Sequence, residues 1–241
     1  MPIQFGLNEI HLWHLRTDVD ASTQAALQAT VSAAERSQAQ RFHFEIDTQR
    51  FIARRGLVRA VLAKYLQSAP EALAFDLGAH GKPLLVSGVA AKPLHFNYSY
   101  SGEALLLAVS ESYELGVDIE TPRPIAEASE IALQNFSPAE KQTLATVTQV
   151  TETFFTCWTA KEAVIKALGT GLSRPLNDFT TLTDTGVLQR ELSVRDGDRG
   201  RPQRIRLLTV PAANFRRATL AILLQSVGQE PVVIEQRLTP R

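Results

Sequence analysis

Hydrophobic and polar positions change period several times along the chain, and each change marks an element. Residues 3–15 (IQFGLNEIHLWHL) alternate apolar and polar, which predicts a strand. Residues 21–45 are rich in Ala and Gln and predict a helix. A longer helical pattern, TQRFIARRGLVRAVLAKYLQ (48–67), follows and ends before Pro70. Short apolar runs bounded by Gly, Pro and Ser then predict strands at LAFDLG (73–78), GKPLLV (81–86), LHFNYSYS (94–101) and ALLLAVS (104–110). Another strand, LGVDIE (115–120), is stopped by TPRP. Helices are expected at 125–135, 138–146 and 151–168, and strands at FTTLTDTG (179–186), RIRLLTV (204–210) and TLAILLQSV (219–227).

A weak internal repeat runs through this pattern. ARRGLVRAV (53–61) aligns with AKEAVIKAL (160–168), and each half finishes in a small-then-apolar strand, GEALLLAVS (102–110) and RATLAILLQS (217–226). The repeat predicts an α+β fold of two similar halves side by side; chance likeness between two amphipathic helices is the alternative. In this alignment Arg55 stands where Glu162 stands, so acidic chemistry belongs to one half only.

Composition narrows the function classes. The 241 residues are 44% hydrophobic and 21% charged, the balance of a soluble globular protein with a sizeable core. Lys and Arg number 25, as do Asp and Glu, so no global field points to nucleic acid or a membrane surface. A single cysteine, Cys157, rules out an intramolecular disulfide and fits a reducing compartment. The N-terminus has no charged-then-apolar signal pattern, and the longest apolar run, near ALLLAV, is far too short for a bilayer. The expectation is a cytoplasmic protein. RDGDRGRPQRIR (195–206), with five arginines, reads as a solvated hairpin loop in preference to a docking surface for an acidic partner.

The candidate chemistry is acidic. Alternation along GVDIE puts Asp118 and Glu120 on one strand face and Val117 and Ile119 on the other. Two neighbouring carboxylates repel unless a cation lies between them. On the helix at 151–168, Trp158, Glu162 and Lys166 form one stripe at i, i+4 and i+8. Glu162 joining Asp118 and Glu120 would give an oxygen-only ligand set, which suits Mg²⁺ and excludes zinc. The plain alternatives are a solvated strand edge for the first two and a Glu–Lys surface pair for the helix. The histidines do not cluster: His11 and His14 fall on opposite strand faces, and all five read as surface or partly buried. Cys157 reads as core, GTG (169–171) as a helix end, and GKP (81–83) as a turn.

In order and spacing, GKP, HFNYSYSG (95–102), GVDIE and FFTCWTAKEAVIKALGTGLSRPL (154–176) together resemble the Sfp-type 4′-phosphopantetheinyl transferases, from about Arg41 to Phe179. The resemblance implies a pseudo-twofold pair of α+β subdomains. Residues 1–112 would form the coenzyme A side and 113–241 would carry the metal site. The implied reaction moves the 4′-phosphopantetheine arm of coenzyme A to a serine of an apo acyl, peptidyl or aryl carrier protein, releasing 3′,5′-ADP. Such carriers serve fatty-acid, polyketide and nonribosomal peptide synthesis. Asp118, Glu120 and Glu162 match the ligands of Mg²⁺, or of Mn²⁺ in its place. Lys166 matches a phosphate contact, and Lys161 a lysine supporting the site or the substrate arm. Glu140, in FSPAEK, matches a general base; Glu162 is a second candidate, and a capping box with Ser137 is the alternative for Glu140. Lys82 and Pro83 match positions near the adenine and phosphates, and Arg41 and Arg50 match basic positions that hold the 3′-phosphate.

One stretch departs from the family pattern. Where the family has N-x-S-H-S/T, this chain has NYSYSG, so Ser99 is kept and Tyr100 replaces the histidine. A tyrosine can donate a hydrogen bond but carries no positive charge, so retuned coenzyme A binding with activity retained is expected. A monomer is expected, with no nucleic-acid or membrane partner. The competing readings are a coenzyme A binder without transfer activity, a Mg²⁺-dependent pyrophosphate hydrolase and, least of all, a structural protein.

Overall fold

The structure is a computed structural model describing residues 3–86, 93–195, 201–212, 216–224 and 230–237. In chain order it contains β1 (Glu9–Arg16), α1 (Ala21–Thr30), α2 (Ala33–Ala39), α3 (Glu45–Leu66), β2 (Phe75–Leu77), β3 (Pro83–Leu85), β4 (His95–Ser101), β5 (Ala104–Ser110) and β6 (Leu115–Glu120). Then follow α4 (Ala128–Asn135), α5 (Pro138–Thr146), α6 (Val150–Leu168), β7 (Glu191–Arg195), β8 (Pro202–Thr209), β9 (Arg217–Leu224) and β10 (Val232–Arg237).

The strands form two four-stranded sheets, ordered β10-β1-β5-β4 and β7-β8-β9-β6, with β2 and β3 as a separate hairpin. Each large sheet carries one long helix. Ala53, Leu57, Val58, Val61 and Leu62 of α3 pack on Trp13, Leu105, Leu107 and Phe96 of the first sheet. Ala160, Ala163, Val164 and Ala167 of α6 pack on Ile205, Leu207, Ala221 and Leu223 of the second. The opposite faces share a third core, where Ile10, Leu12 and Leu106 meet Leu115, Val117, Ile119 and Leu220. Strand alternation generates this layering, because odd and even positions of β1, β5 and β6 feed different cores.

The halves match as the internal repeat suggests. The antiparallel run β1-β5-β4 in one sheet corresponds to β6-β9-β8 in the other, and α3 and α6 are the aligned helices. The correspondence breaks at the outer strand. β10 comes from the end of the chain yet runs parallel to β1, completing the first sheet. A division into 1–112 and 113–241 therefore leaves the first sheet without its outermost strand.

Local chemistry explains where elements differ from the sequence expectation. The helix expected at 21–45 breaks at Val31, whose side chain is buried. Ser32 starts a new helix with a capping box: its oxygen accepts from Glu35 N (3.2 Å), and Glu35 Oε2 accepts from Ser32 N (2.8 Å). The strand expected at 179–186 reduces to one bridge, Leu182 to Leu188, because Thr181 N is spent on a glutamate oxygen and a turn follows at Gly186 (φ 80°). β7 and β10 lacked a sequence signal because they are edge strands with mixed polar faces. The middle of the arginine-rich run, 196–200, and the last part of the expected strand, 225–227, lie outside the described residues.

α6 rests directly on β6 at Gly116. A Cβ there would stand 2.2 Å from Ala163 O and 2.3 Å from Ala167 N, so only glycine admits the helix backbone. Gly116→Ala is expected to destabilise the fold by about 1–3 kcal/mol through overpacking, read from the urea-unfolding midpoint.

Candidate active site

β4 and β6 are both edge strands, and they lie side by side without a backbone ladder. Side chains from alternate positions of β4 join them instead. Asn97 Oδ1 accepts from Val117 N (2.9 Å), and Ser99 Oγ donates to Asp118 Oδ1 (2.7 Å). Ser101 Oγ donates to Glu120 Oε2 (3.1 Å) and accepts from Thr121 N (3.1 Å). Two backbone amides along the β6 edge, Val117 N and Thr121 N, are satisfied in this way, and the seam between the halves runs beside the carboxylates.

Asp118 is the centre of the seam. Its Oδ1 accepts from Ser99 and from Lys166 Nζ, at 2.6 Å, while its Oδ2 is buried with no hydrogen-bond partner. A buried acceptor without a donor costs about 1–3 kcal/mol, which favours a ligand that supplies positive charge. Glu162 reaches the same region from α6. Burial pushes its carboxyl above the usual range; the Lys166 ammonium opposes this, and Asp118 and Glu120 reinforce it. Glu120 is likewise raised, by burial and then by Asp118, against the Ser101 hydrogen bond, Arg123 and Lys166.

Asp118, Glu120 and Glu162 thus share one electrostatic field. Among the described residues, however, no three His, Cys, Asp or Glu side chains are close enough to form a finished metal-ligand set. The cation in contact with Asp118 is Lys166. The donor set still fits a hard divalent ion: all its atoms are oxygens, one buried oxygen has no partner, and the mutual repulsion is of the kind a dication relieves.

Two residues expected at the site are placed elsewhere. Lys161 is fully buried, its Nζ 2.7 Å from Glu140 Oε2 and donating to Leu176 O and Phe179 O, both at 2.7 Å. Glu140 is also fully buried. Its Oε2 accepts from Ser137 N (2.9 Å), completing a capping box, and its Oε1 accepts from Thr181 N (2.6 Å) and Thr181 Oγ1 (2.8 Å). Burial alone would raise the Glu140 carboxyl, but Lys161 and the two amides outweigh it and hold it below its ordinary value. Glu140 therefore has no free oxygen for a substrate proton, and Lys161 does not reach a coenzyme. The pair is an internal strut joining α5, α6 and residues 176–181.

The expected coenzyme contacts divide into separate places. Lys82 Nζ donates to Leu115 O (3.0 Å) at the start of β6, and Pro83 follows it at the head of β3. Arg41 is exposed beyond the end of α2, and Arg50 lies on α3 with its Nε buried and unpartnered. Tyr100 points to the opposite face of β4 from Ser99 and Ser101, toward α3. It is 48% exposed, and the Arg54 guanidinium lies 3.7 Å from its ring centre. Sequence reasoning missed Asn97, Gly116 and Arg54. The alternation in HFNYSYS was a usable signal for Asn97; the other two depend on how helices meet strands.

Lys161→Met is expected to cost about 3–5 kcal/mol in urea unfolding by leaving Glu140 buried and unpaired, while Glu140→Gln/Lys161→Met loses less. Because the folded state holds Glu140 below its ordinary pKa, its contribution is present above the unfolded value. It is lost as pH falls below the ordinary carboxylate value and on through the lower folded one, so the difference between Lys161→Met and wild type is expected to narrow progressively in acid. Glu162 has the opposite sign: its folded pKa is raised, so the cost of its charge appears as pH rises through the unfolded value. In chelator, Glu162→Gln is expected to raise the melting temperature by about 2–4 °C at pH 7–8 and to leave it unchanged near pH 4.

Comparison with known proteins agrees with this geometry. Residues 114–220 match the model of the 4′-phosphopantetheinyl transferase superfamily, and residues 19–112 match that of the 4′-phosphopantetheinyl transferase N-terminal region. The chain is 37% identical over 180 residues to 4′-phosphopantetheinyl transferase HetI of Nostoc sp., covering 74% of this chain and 76% of that protein. A 4′-phosphopantetheinyl transferase of Bacillus subtilis is 34% identical over 177 residues, covering 72% and 76% of the two chains. The Sfp transferase of Bacillus subtilis strain 168 is 34% identical over 165 residues, covering 67% and 71%. With both halves matched and the carboxylate seam between them, the chain belongs to the 4′-phosphopantetheinyl transferases, enzymes that move the phosphopantetheine arm of coenzyme A onto carrier proteins.

Proposed function

We propose that this chain carries out its family's transfer at the β4–β6 seam, with a serine of an apo carrier protein as acceptor and 3′,5′-ADP as the second product. The observation that carries the proposal is Asp118: one oxygen tied to Ser99 and Lys166, the other buried and unpartnered. Asp118, Glu120 and Glu162 would hold Mg²⁺ or Mn²⁺, which supplies charge neutralisation on the pyrophosphate when bound.

The residues of the chain divide the remaining work. Lys166, 28% exposed at the side chain, is free to exchange part of its contact with Asp118 for a phosphate oxygen. Ser99, Lys82, Pro83, Arg41 and Arg50 flank the coenzyme. The carrier serine oxygen attacks the phosphorus that bears the pantetheine arm. The P–O bond to the nucleotide side breaks, and 3′,5′-ADP leaves with the electron pair. Glu162, at the seam beside Asp118 and Lys166, accepts the serine proton. Glu140 has no part in this step.

Both halves of the seam come from one chain, which supports a monomer. No helix among the described residues is long and apolar enough to cross a membrane, which is compatible with a cytoplasmic site of action.

The test is a mass-spectrometric assay with coenzyme A, Mg²⁺ and apo carrier proteins. The phosphopantetheine mass is expected on the carrier serine, and chelator is expected to abolish it. Asp118→Ala and Glu162→Ala are expected to lose at least about 100-fold in rate with the fold retained. Full activity of either at limiting Mg²⁺ would refute the ligand assignment. Coenzyme A binding without a mass shift on several carriers would favour a binder that lacks transfer activity.

A further inference from the structure

The four arginines of α3 are not equivalent. Arg59 is buried and paired with Glu35 Oε2 at 2.8 Å, and its NH1 donates to Pro70 O and Leu73 O at 3.1 and 2.7 Å. Arg55 donates to Tyr98 OH at 2.7 Å and lies 3.7 Å from Glu35 Oε1. These two are structural. Arg50 and Arg54, one helical turn apart on the same stripe, form no ion pair with a described carboxylate. Arg50 Nε is buried with no hydrogen-bond partner. Arg54 is partly withdrawn from water, and its guanidinium lies on the face of Tyr100, 3.7 Å from the ring centre.

A guanidinium stacked on a ring keeps its N–H donors in its own plane, directed outward. The ring fixes the fork and shields one face without using a donor. Tyr100 is 48% exposed, so the stack stands at the surface near the end of β4. Two part-buried cations on one stripe, with Asp47 and Asp18 near enough to be felt but in no contact ion pair with them, form a place for an anion from outside. Burial draws the Arg54 guanidinium below its ordinary value; Tyr100, Tyr98 and Asp47 oppose this and Arg55 adds to it, and a bound anion would act with the first three. The forked geometry fits the oxygens of a phosphate.

We infer that Arg54, held face-on by Tyr100 and one turn from Arg50, is a phosphate-binding residue for coenzyme A, with the tyrosine acting as its platform. The inference rests on the transfer reading above. It moves the positive charge that a histidine would have given β4 onto helix α3. It also assigns the work at position 100 to the ring face and not to the hydroxyl.

The test is calorimetric titration of the full chain with coenzyme A and with 3′-dephospho-coenzyme A, checking each variant's melting temperature. Arg54→Gln is expected to weaken coenzyme A binding about 10- to 100-fold. Arg54→Lys, which keeps the charge but loses the fork, should show a smaller loss. Tyr100→Phe should bind within about twofold of wild type, and Tyr100→Ala should lose about as much as Arg54→Gln. If the Arg54→Gln loss vanishes with the dephospho compound, the contact is the 3′-phosphate; if it persists, the contact is the pyrophosphate. Either outcome supports the assignment. Unchanged affinity in a folded Arg54→Gln would overturn it and leave the transferase reading intact. Equal losses in Tyr100→Phe and Tyr100→Ala would overturn the platform role. A wild-type chain that binds neither compound would overturn both readings.

Discussion

A carboxylate buried where two half-molecules meet must be satisfied from both sides, and Asp118 is in that position. Ser99 reaches it from the first sheet and Lys166 from the helix of the second. Both contacts need β6 to lie beside β4 and α6 to press on β6. The first condition is met by Asn97 and Ser101, which replace a backbone ladder with side-chain hydrogen bonds. The second is met by Gly116, where any Cβ would collide with the helix backbone. Remove either condition and the three acids no longer share a field.

The neighbouring lysines of α6 show how one helix separates structure from chemistry. Lys161 and Glu162 are adjacent in sequence and so point about 100° apart on the helix. Lys161 enters the interior and neutralises Glu140, with two carbonyls completing its donors. Glu162 and Lys166, a turn apart, lie toward the seam instead. A buried ion pair contributes little net stability against an apolar replacement, but it is costly to break on one side only. Its effect here is to fix α5 and the 176–181 segment to the helix that presents the site.

β4 divides the electrostatics of the molecule. Its odd positions carry the hydroxyls that meet the acids of β6, and its even positions carry Tyr98 and Tyr100 toward the arginines of α3. The carboxylate cluster with its Lys166 and the α3 arginines with their Glu35 therefore lie on opposite faces of one strand, at an edge common to both halves. That arrangement suits a substrate that is anionic along one part of its length and reacts at a metal-assisted phosphorus at another. The neutral net charge of the chain conceals this separation.

The local pattern of residues determined a large part of this. Period-two alternation placed Asp118 and Glu120 on one face, and the i, i+4, i+8 spacing aligned Glu162 with Lys166, because these are geometric properties of isolated strands and helices. The repeat indicated two like halves, and the S-x-x-E pattern at Ser137 announced a capping box. Tertiary structure decided what no local period encodes. Glu140 became a strut because Lys161 and Thr181, distant in sequence or on another element, supply its partners. Tyr100 became a platform because α3 brings Arg54 over it. β10 joined the first sheet because strand pairing there is set by an available edge of β1, not by the composition of VVIEQR. In each case a side chain's role depended on a neighbour from another element, and only the folded chain brings them together.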